Sequence, residues 1–220
     1  MPDATFAIAL LLTLTAHTLA RLACLRFPAI PVVLLSVIVL SAFLWLLHWP
    51  YDQYYPSVQG VFSHLLGYVT VALAIPLASM KFDDLPLKNV SLILLFSTLS
   101  GALFPMGLAW LLHLSHPMIL AFASRAVTTP IALNIATLIH APLTLASIIV
   151  IVSGLVGAAI SPLILKNCED ERAAGLALGL AAHAIGTVQA WQRSVVAGRY
   201  AAFGMAVNGI LTALWVPMVF

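Results

Sequence analysis

Eight long apolar runs follow one another along this 220-residue chain, separated by short linkers. A run of about 20 apolar residues can cross the hydrocarbon core of a bilayer as a helix. The runs occupy 4–20, 29–49, 61–80, 89–114, 117–140, 142–165, 172–192 and 199–220. Composition agrees, because 63% of the residues are hydrophobic and only 7% are charged. The sequence therefore predicts an all-α polytopic protein of the cytoplasmic (inner) membrane, with the lipid bilayer as its surroundings.

The charged and sulfur-containing residues argue against several other functions. The formal net charge is only +2 and the basic residues are scattered, so no nucleic-acid partner is expected. Cys24 and Cys168 have neither CxxC nor Cys/His spacing, which predicts neither disulfides nor a metal site. The apolar runs hold no paired carboxylates and no phosphate-binding loop. We therefore expect no enzyme, no catalytic residue and no cofactor.

A polar interruption in the fifth run gives the strongest functional signal. Arg125 lies about nine residues into that run, and a charge in the middle of a membrane span costs roughly 2.5–3.5 kcal/mol, which marks a candidate site. Pro130 lacks a backbone N–H and disfavours helical geometry at Thr129, so we predict a helix break there. Transporters bind solutes at such breaks. We predict that Arg125, Thr128, Thr129 and Asn134 bind substrate. Alternatively, the arginine snorkels to the interface and the threonine hydroxyls bond back to the preceding turn.

A second interruption lies in the seventh run. Gly186 is predicted to break the helix through its backbone freedom, and Thr187 to contribute to the substrate site. His183 is the candidate for coupling transport to protons, since imidazole titrates near physiological pH. Gln189 and, in the last run, Asn208 are further candidates for proton or ion coupling. The alternative is that the imidazole and the amides only form hydrogen bonds between helices.

The basic residues of the first half predict a regular alternation across the membrane. Lys and Arg concentrate in cytoplasmic linkers. Arg21 and Arg26 place the first linker inside, and Lys81 and Lys88 do the same for the third. The linker Trp49–Pro56 between them is aromatic and has no Lys or Arg, so we expect it outside.

This alternation continues through the second half of the chain only if two of the apolar runs do not cross the membrane. Lys166 and Arg172 fall inside if the run 117–140 is a re-entrant hairpin that enters from outside and returns there. A second re-entrant hairpin at 172–192, entering from inside, keeps the later basic residues inside as well. The sequence thus predicts six spanning helices and two re-entrant or broken helices in an inverted repeat. The alternative is two kinked full spans.

Four motifs resemble the LrgB/CidB family of membrane proteins, and the resemblance covers nearly the whole chain. They are Val127-Thr-Thr-Pro-Ile-Ala132, Gly175-Leu-Ala-Leu-Gly179, His183-Ala-Ile-Gly-Thr187 and Gly204-Met-Ala-Val-Asn-Gly-Ile-Leu-Thr212. The resemblance implies one LrgB-like transmembrane domain over 1–220. Its N-terminal helices lie in 1–114 and its motif-bearing inverted-repeat core in 115–220.

Two functions are implied by the resemblance, and the sequence leaves both open. One is a transporter of small carboxylates of the glycolate, glycerate or pyruvate type, coupled to protons or cations. In this hypothesis Arg125, where the family usually has lysine, pairs with the carboxylate, and the hydroxyls of Thr128, Thr129 and Thr187 complete the site. The other is an antiholin-like modulator of murein hydrolase activity and autolysis. The expected partners are further copies in a homo-oligomer and a small LrgA/CidA-like membrane protein.

Overall fold

The computed structural model describes residues 4–26, 32–72, 75 and 87–220. Apart from turns and short connections, these residues form helices, which confirms the all-α class. They belong to two compact units, Met1–Val69 and Thr70–Phe220.

The first unit contains three helices, α1 (Ala4–Arg26), α2 (Val32–Leu46) and α3, which begins at Tyr51 and ends at Ala72. The α1 and α2 helices pack against each other. A small core forms around Tyr54, which is 4% exposed and whose hydroxyl lies 2.6 Å from the Thr13 hydroxyl. The α2 helix lies within the second predicted span, 29–49, and α3 overlaps the third, 61–80, over residues 61–72. Residues 29–31, 73–74 and 76–80 of these runs lie outside the described residues.

Two predictions about linkers in this unit are wrong. Arg21 and Arg26 lie inside α1, because a helix end tolerates long basic side chains that reach the interface, and a cation in the last turn suits the helix dipole. The stretch Trp49–Pro56 is mostly helical from Tyr51 onward, with Pro56 inside α3. The reason is that burying the Tyr54 ring against α1 stabilises the helix there.

The second unit has three long helices and two interrupted segments. The long helices are α4 (Leu87–Leu111), α7 (Leu143–Ile164) and α9 (Val195–Val219). At about 1.5 Å per residue they measure roughly 33–38 Å, enough to cross a bilayer. The interrupted segments are hairpin 1, made of α5 (His116–Ala121), a 3₁₀ turn (Phe122–Ser124) and α6 (Thr129–Leu138), and hairpin 2, which is α8 (Glu171–Arg193).

Hairpin 2 turns back on itself at His183, whose φ of 39° and ψ of −122° are non-helical. Glu171 Oε1 lies 2.8 Å from Arg193 Nε, although a straight helix would separate these residues by about 33 Å. A Cβ on Gly186 would lie 2.2 Å from the carbonyl oxygen of Leu178, so the returning half packs on the outgoing half. Five described helices are long and apolar enough to cross a membrane, and α8 is one of them, but its two ends meet. The re-entrant prediction for 172–192 is confirmed, whereas the predicted break at Gly186 is wrong.

Hairpin 1 also starts and finishes at one end of the unit. One apolar cluster joins the last turns of α4 and α9 to the first turn of α7 and to both halves of hairpin 1; its members include Met106, Leu120, Ile135, Ala146 and Val216. A separate cluster joins the N-terminal halves of α4 and α9 to hairpin 2, through Val90, Leu94, Leu176 and Phe203. The two hairpins therefore enter from opposite ends, as an inverted repeat requires.

Close packing holds the outgoing half of hairpin 2 on α9. A Cβ on Gly175 would lie 2.2 Å from the carbonyl oxygen of Ala197, and one on Gly179 would lie 2.1 Å from that of Ala201. These glycines let the two backbones touch, as small residues do in membrane helix pairs. The outgoing half is thereby fixed to a spanning helix.

Candidate functional site

The tips of the two hairpins meet at the middle of α7. Arg125, at the tip of hairpin 1, donates from Nη1 to the Ser153 hydroxyl at 2.9 Å. The His183 ring, at the tip of hairpin 2, lies against the next residue, Gly154, where a Cβ would be 2.6 Å from the ring carbon Cε1. Arg125 and the His183 ring therefore contact adjacent residues of α7. Since Ser153 is ten residues from the start of α7, the tips meet near mid-depth.

The guanidinium of Arg125 is half-buried and bonded to neutral partners. Besides the bond to Ser153, its Nε donates to the carbonyl oxygen of Gly101 at 3.0 Å, in the middle of α4. The ion pairs found among the described residues, Arg172–Asp170 and Arg193–Glu171, both lie at the ends of hairpin 2. No carboxylate among the described residues neutralises Arg125. Its side chain contacts the middle of two spanning helices, which does not fit a side chain that snorkels to the membrane interface. A charge held this way gains from an anion that reaches it.

Asn208 fixes the tip of hairpin 1. It is 1% exposed in the middle of α9, where its Oδ1 accepts from the Thr98 hydroxyl and its Nδ2 donates to the Ala126 carbonyl, both at 2.7 Å. A backbone carbonyl bared by a helix break must be satisfied within the protein, and this amide does so. The structure gives Asn208 a positioning contact, and its role in ion coupling stays a prediction.

Three buried polar atoms at the tips have no hydrogen-bond partner in the described part of the chain. They are Ser124 Oγ, Thr128 Oγ1 and His183 Nε2. Thr128 directly precedes α6 in an extended conformation, yet its side chain does not cap that helix. Buried polar groups are normally satisfied by protein, water or ligand, so these atoms and the uncapped start of α6 offer hydrogen bonds to a small polar solute.

The remaining predicted residues at the tips have local roles. Pro130 lies in the first turn of α6, where its missing N–H is no loss, and the interruption directly precedes it. Thr129, half-buried, begins that helix. The Thr187 hydroxyl donates to the carbonyl oxygen of His183 at 2.8 Å, which satisfies a group freed by the turn of hairpin 2. Thr187 therefore supports the tip of the hairpin.

Two predicted residues lie away from the tips. The Asn134 side chain is exposed on α6. Gln189 accepts a hydrogen bond from the Ser161 hydroxyl at 3.0 Å, six residues beyond His183, or about 9 Å along the helix. The site predicted from the sequence did not include five residues that the structure places at or beside the tips: Ser124, Thr98, Gly101, Ser153 and Gly154. Their signal was a small or hydroxyl residue inside an otherwise apolar run. Among the described residues no group of three or more His, Cys, Asp or Glu side chains is placed to hold a metal ion.

Long apolar helices, two opposed re-entrant hairpins and a half-buried cation at their meeting point define an integral protein of the cytoplasmic membrane. The chain belongs to the LrgB-like family, whose sequence profile matches residues 10–220, and this confirms the resemblance found in the sequence. The uncharacterized protein YwbG of Bacillus subtilis (strain 168) is 31% identical over 219 residues, which are 96% of this chain and 95% of YwbG.

Two other relatives are more distant. An uncharacterized protein of Haemophilus influenzae is 30% identical over 193 residues, 84% of this chain and 81% of that protein. The holin-like protein CidB of Staphylococcus aureus (strain N315) is 26% identical over 162 residues, 71% of this chain and 69% of CidB. No solved structure matches the chain.

Proposed function

We propose that this protein transports small carboxylates of the glycolate, glycerate or pyruvate type, and that Arg125 pairs with the carboxylate. The observation that carries the proposal is the half-buried guanidinium near mid-depth, whose hydrogen bonds among the described residues go to the neutral groups of Gly101 and Ser153. A planar guanidinium binds a carboxylate through two parallel hydrogen bonds, so an incoming acid would neutralise the charge where it is most costly.

The polar atoms around Arg125 suit an acid with one further oxygen. The Ser124 and Thr128 hydroxyls are buried and unpaired within the described residues, and Thr129 adds a third hydroxyl. The uncapped first turn of α6 presents the positive end of a ten-residue helix beside them. These groups would bind the carboxylate and a hydroxyl or keto oxygen next to it, and Thr187 supports the opposite tip.

Proton coupling is assigned to His183 in this proposal. Its Nε2 is buried without a partner in the described part of the chain, and the ring contacts Gly154, the neighbour of the Ser153 that binds Arg125. In proteoliposomes, a pH gradient is expected to drive uptake by the wild type. The change His183→Asn should remove the response to the gradient while uptake down a solute gradient persists. A gradient response that survives the change would exclude this role.

The test of the site is uptake of labelled glycolate or pyruvate by proteoliposomes containing the purified protein. Truncating one partner of a buried charged pair costs about 2–5 kcal/mol, so Arg125→Ala should lower uptake roughly 30-fold or more. Arg125→Lys keeps the charge without the planar fork and should retain part of the activity. Arg199→Ala is the matched control, because Arg199 is exposed on α9 and should be dispensable. Wild-type uptake by Arg125→Ala would refute the proposal.

A second candidate function follows from the name of one relative, the holin-like protein CidB. In this alternative the protein is an antiholin-like modulator of murein hydrolase activity and autolysis. It would act as a homo-oligomer or with a small LrgA/CidA-like membrane protein. Absence of uptake by the purified wild type, together with altered autolysis in cells producing it, would favour this candidate.

A further inference from the structure

We infer that a second site, separate from Arg125, binds an oxyanion at the end of α7. A cavity of about 370 Å³ opens there between the last turns of α7 and the returning half of hairpin 2. Its polar lining consists of Ser161, Lys166, Gln189 and Arg193. The volume is within the range of small-ligand sites and suits a short carboxylate or a phosphate group.

The cavity is separate from the tips of the hairpins. Ser161 is eight residues beyond Ser153 along α7, and Gln189 is six residues beyond His183, so the two sites are about 9–12 Å apart along these helices. The inference therefore does not depend on transport through the Arg125 site.

The lining contains two cations, of which Arg193 is paired with Glu171 while Lys166 has no ion pair among the described residues. Lys166 and Arg193 line the cavity and no carboxylate does. Three acids follow the cavity in the sequence: Glu169 is exposed and forms no ion pair among the described residues, whereas Glu171 accepts from Arg193 Nε and from the Ser194 hydroxyl. The Arg172 side chain hydrogen-bonds to Asp170 and holds the pKa of that carboxyl below its usual value.

The Lys166 ammonium is available to bind an anion. A basic residue just after a helix often only caps the last carbonyl groups of that helix. Here Arg193 already performs that function. Its Nη1 donates to the carbonyl oxygen of Leu165 at 3.2 Å and its Nη2 to that of Cys168 at 2.5 Å, at and beyond the end of α7. The Lys166 side chain is exposed and has no ion pair within the described residues.

Gln189 supplies a neutral donor to the same cavity. Its Oε1 accepts from the Ser161 hydroxyl, so the carbonyl end of the amide is held on α7. Gln189 lines the cavity together with Lys166, and its NH₂ end has no hydrogen bond within the described part of the chain. An ammonium and an amide N–H without an opposing carboxylate form a set of donors for a carboxylate or phosphate oxygen. Such a group can come from a soluble acid, from phosphate or from an anionic lipid headgroup.

Cysteine chemistry tests the site. Pro162 lines the cavity and is exposed, so Pro162→Cys, in a background with Cys24→Ser and Cys168→Ser, gives a reactive probe. The measured quantity is the labelling rate of an anionic methanethiosulfonate at this cysteine divided by that of a cationic one. We expect this ratio to be several-fold higher when Lys166 is present than after Lys166→Gln. The matched control is Arg172→Gln, which removes a paired arginine outside the cavity and should leave the ratio unchanged. Leu165→Cys provides a second probe of the same cavity.

Protection experiments then identify the source of the anion. Slower labelling on addition of glycolate or inorganic phosphate, in phosphatidylcholine vesicles, supports a site for soluble anions. Slower labelling only when the vesicles contain phosphatidylglycerol supports a site for a lipid headgroup. Either protection should persist in Arg125→Ala, which distinguishes this site from the proposed transport site. Equal reagent ratios with and without Lys166, and no protection by any of the three, would overturn the inference.

Discussion

Chemical cross-linking gives a stringent test of hairpin 2. If α8 doubles back at His183, cysteines introduced by Glu171→Cys and Ser194→Cys should be joined by a short bis-maleimide. Glu171 Oε2 lies 2.6 Å from the Ser194 hydroxyl, so a linker of one or two side-chain lengths is sufficient.

The expected difference between the two geometries is large. From Glu171 to Arg193 there are 22 steps along the chain, and at about 1.5 Å each a straight helix would separate its ends by roughly 33 Å. No short cross-linker spans that distance. The bonds from Arg193 to the carbonyls of Leu165 and Cys168 do not involve either mutated side chain, so they should keep the hairpin closed.

The assay is mass spectrometry of the digested protein after cross-linking in vesicles, with the native cysteines replaced by serine. The matched control pairs Glu171→Cys with Leu143→Cys, because Leu143 begins α7 at the opposite end of that helix. We expect an intramolecular link between 171 and 194 and none between 171 and 143. Absence of the first link, or equal yields of both, would refute the hairpin.

Three further predictions concern the tips. Asn208→Leu removes two hydrogen bonds, each worth about 0.6 and at most about 1.7 kcal/mol in a membrane, and should destabilise the protein by about 1–3 kcal/mol in detergent unfolding. Thr128→Val removes a buried hydroxyl without a described partner, so stability should stay equal or rise while glycolate affinity falls; a loss of stability would contradict this. Gly154→Ala places a Cβ against the His183 ring and should be about 1–3 kcal/mol less stable than Gly107→Ala, whose Cβ meets open space; equal melting temperatures would contradict the contact.

The sequence was sufficient to predict the class, the two re-entrant segments and an arginine held among the membrane helices. Each depends on a local or additive property: the length of apolar runs, the side on which basic residues fall, and the cost of a charge in a bilayer. Pro130 likewise indicated the interruption of hairpin 1 because its effect on the backbone is intrinsic.

The position of the second tip could not be obtained from local preferences. Glycine is the residue that favours a positive φ, so Gly186 was the better candidate for the turn, but the turn is at His183. That conformation depends on tertiary contacts, including the one with Gly154 on α7. Ser153 was missed for the same reason, since α7 reads as an apolar helix until hairpin 1 is placed beside it. Asn134 shows the converse, because a polar residue near the break need not face the site.

The most direct test of the central claim is calorimetric titration of glycolate or pyruvate into the purified protein. The claim is that the Arg125 guanidinium, which no described carboxylate neutralises, binds a carboxylate at the meeting point of the hairpins. We predict measurable binding by the wild type and by Arg199→Ala, and affinity lowered roughly 30-fold or more by Arg125→Ala. Equal affinity of the wild type and Arg125→Ala, or no binding of either acid to the wild type, would contradict it.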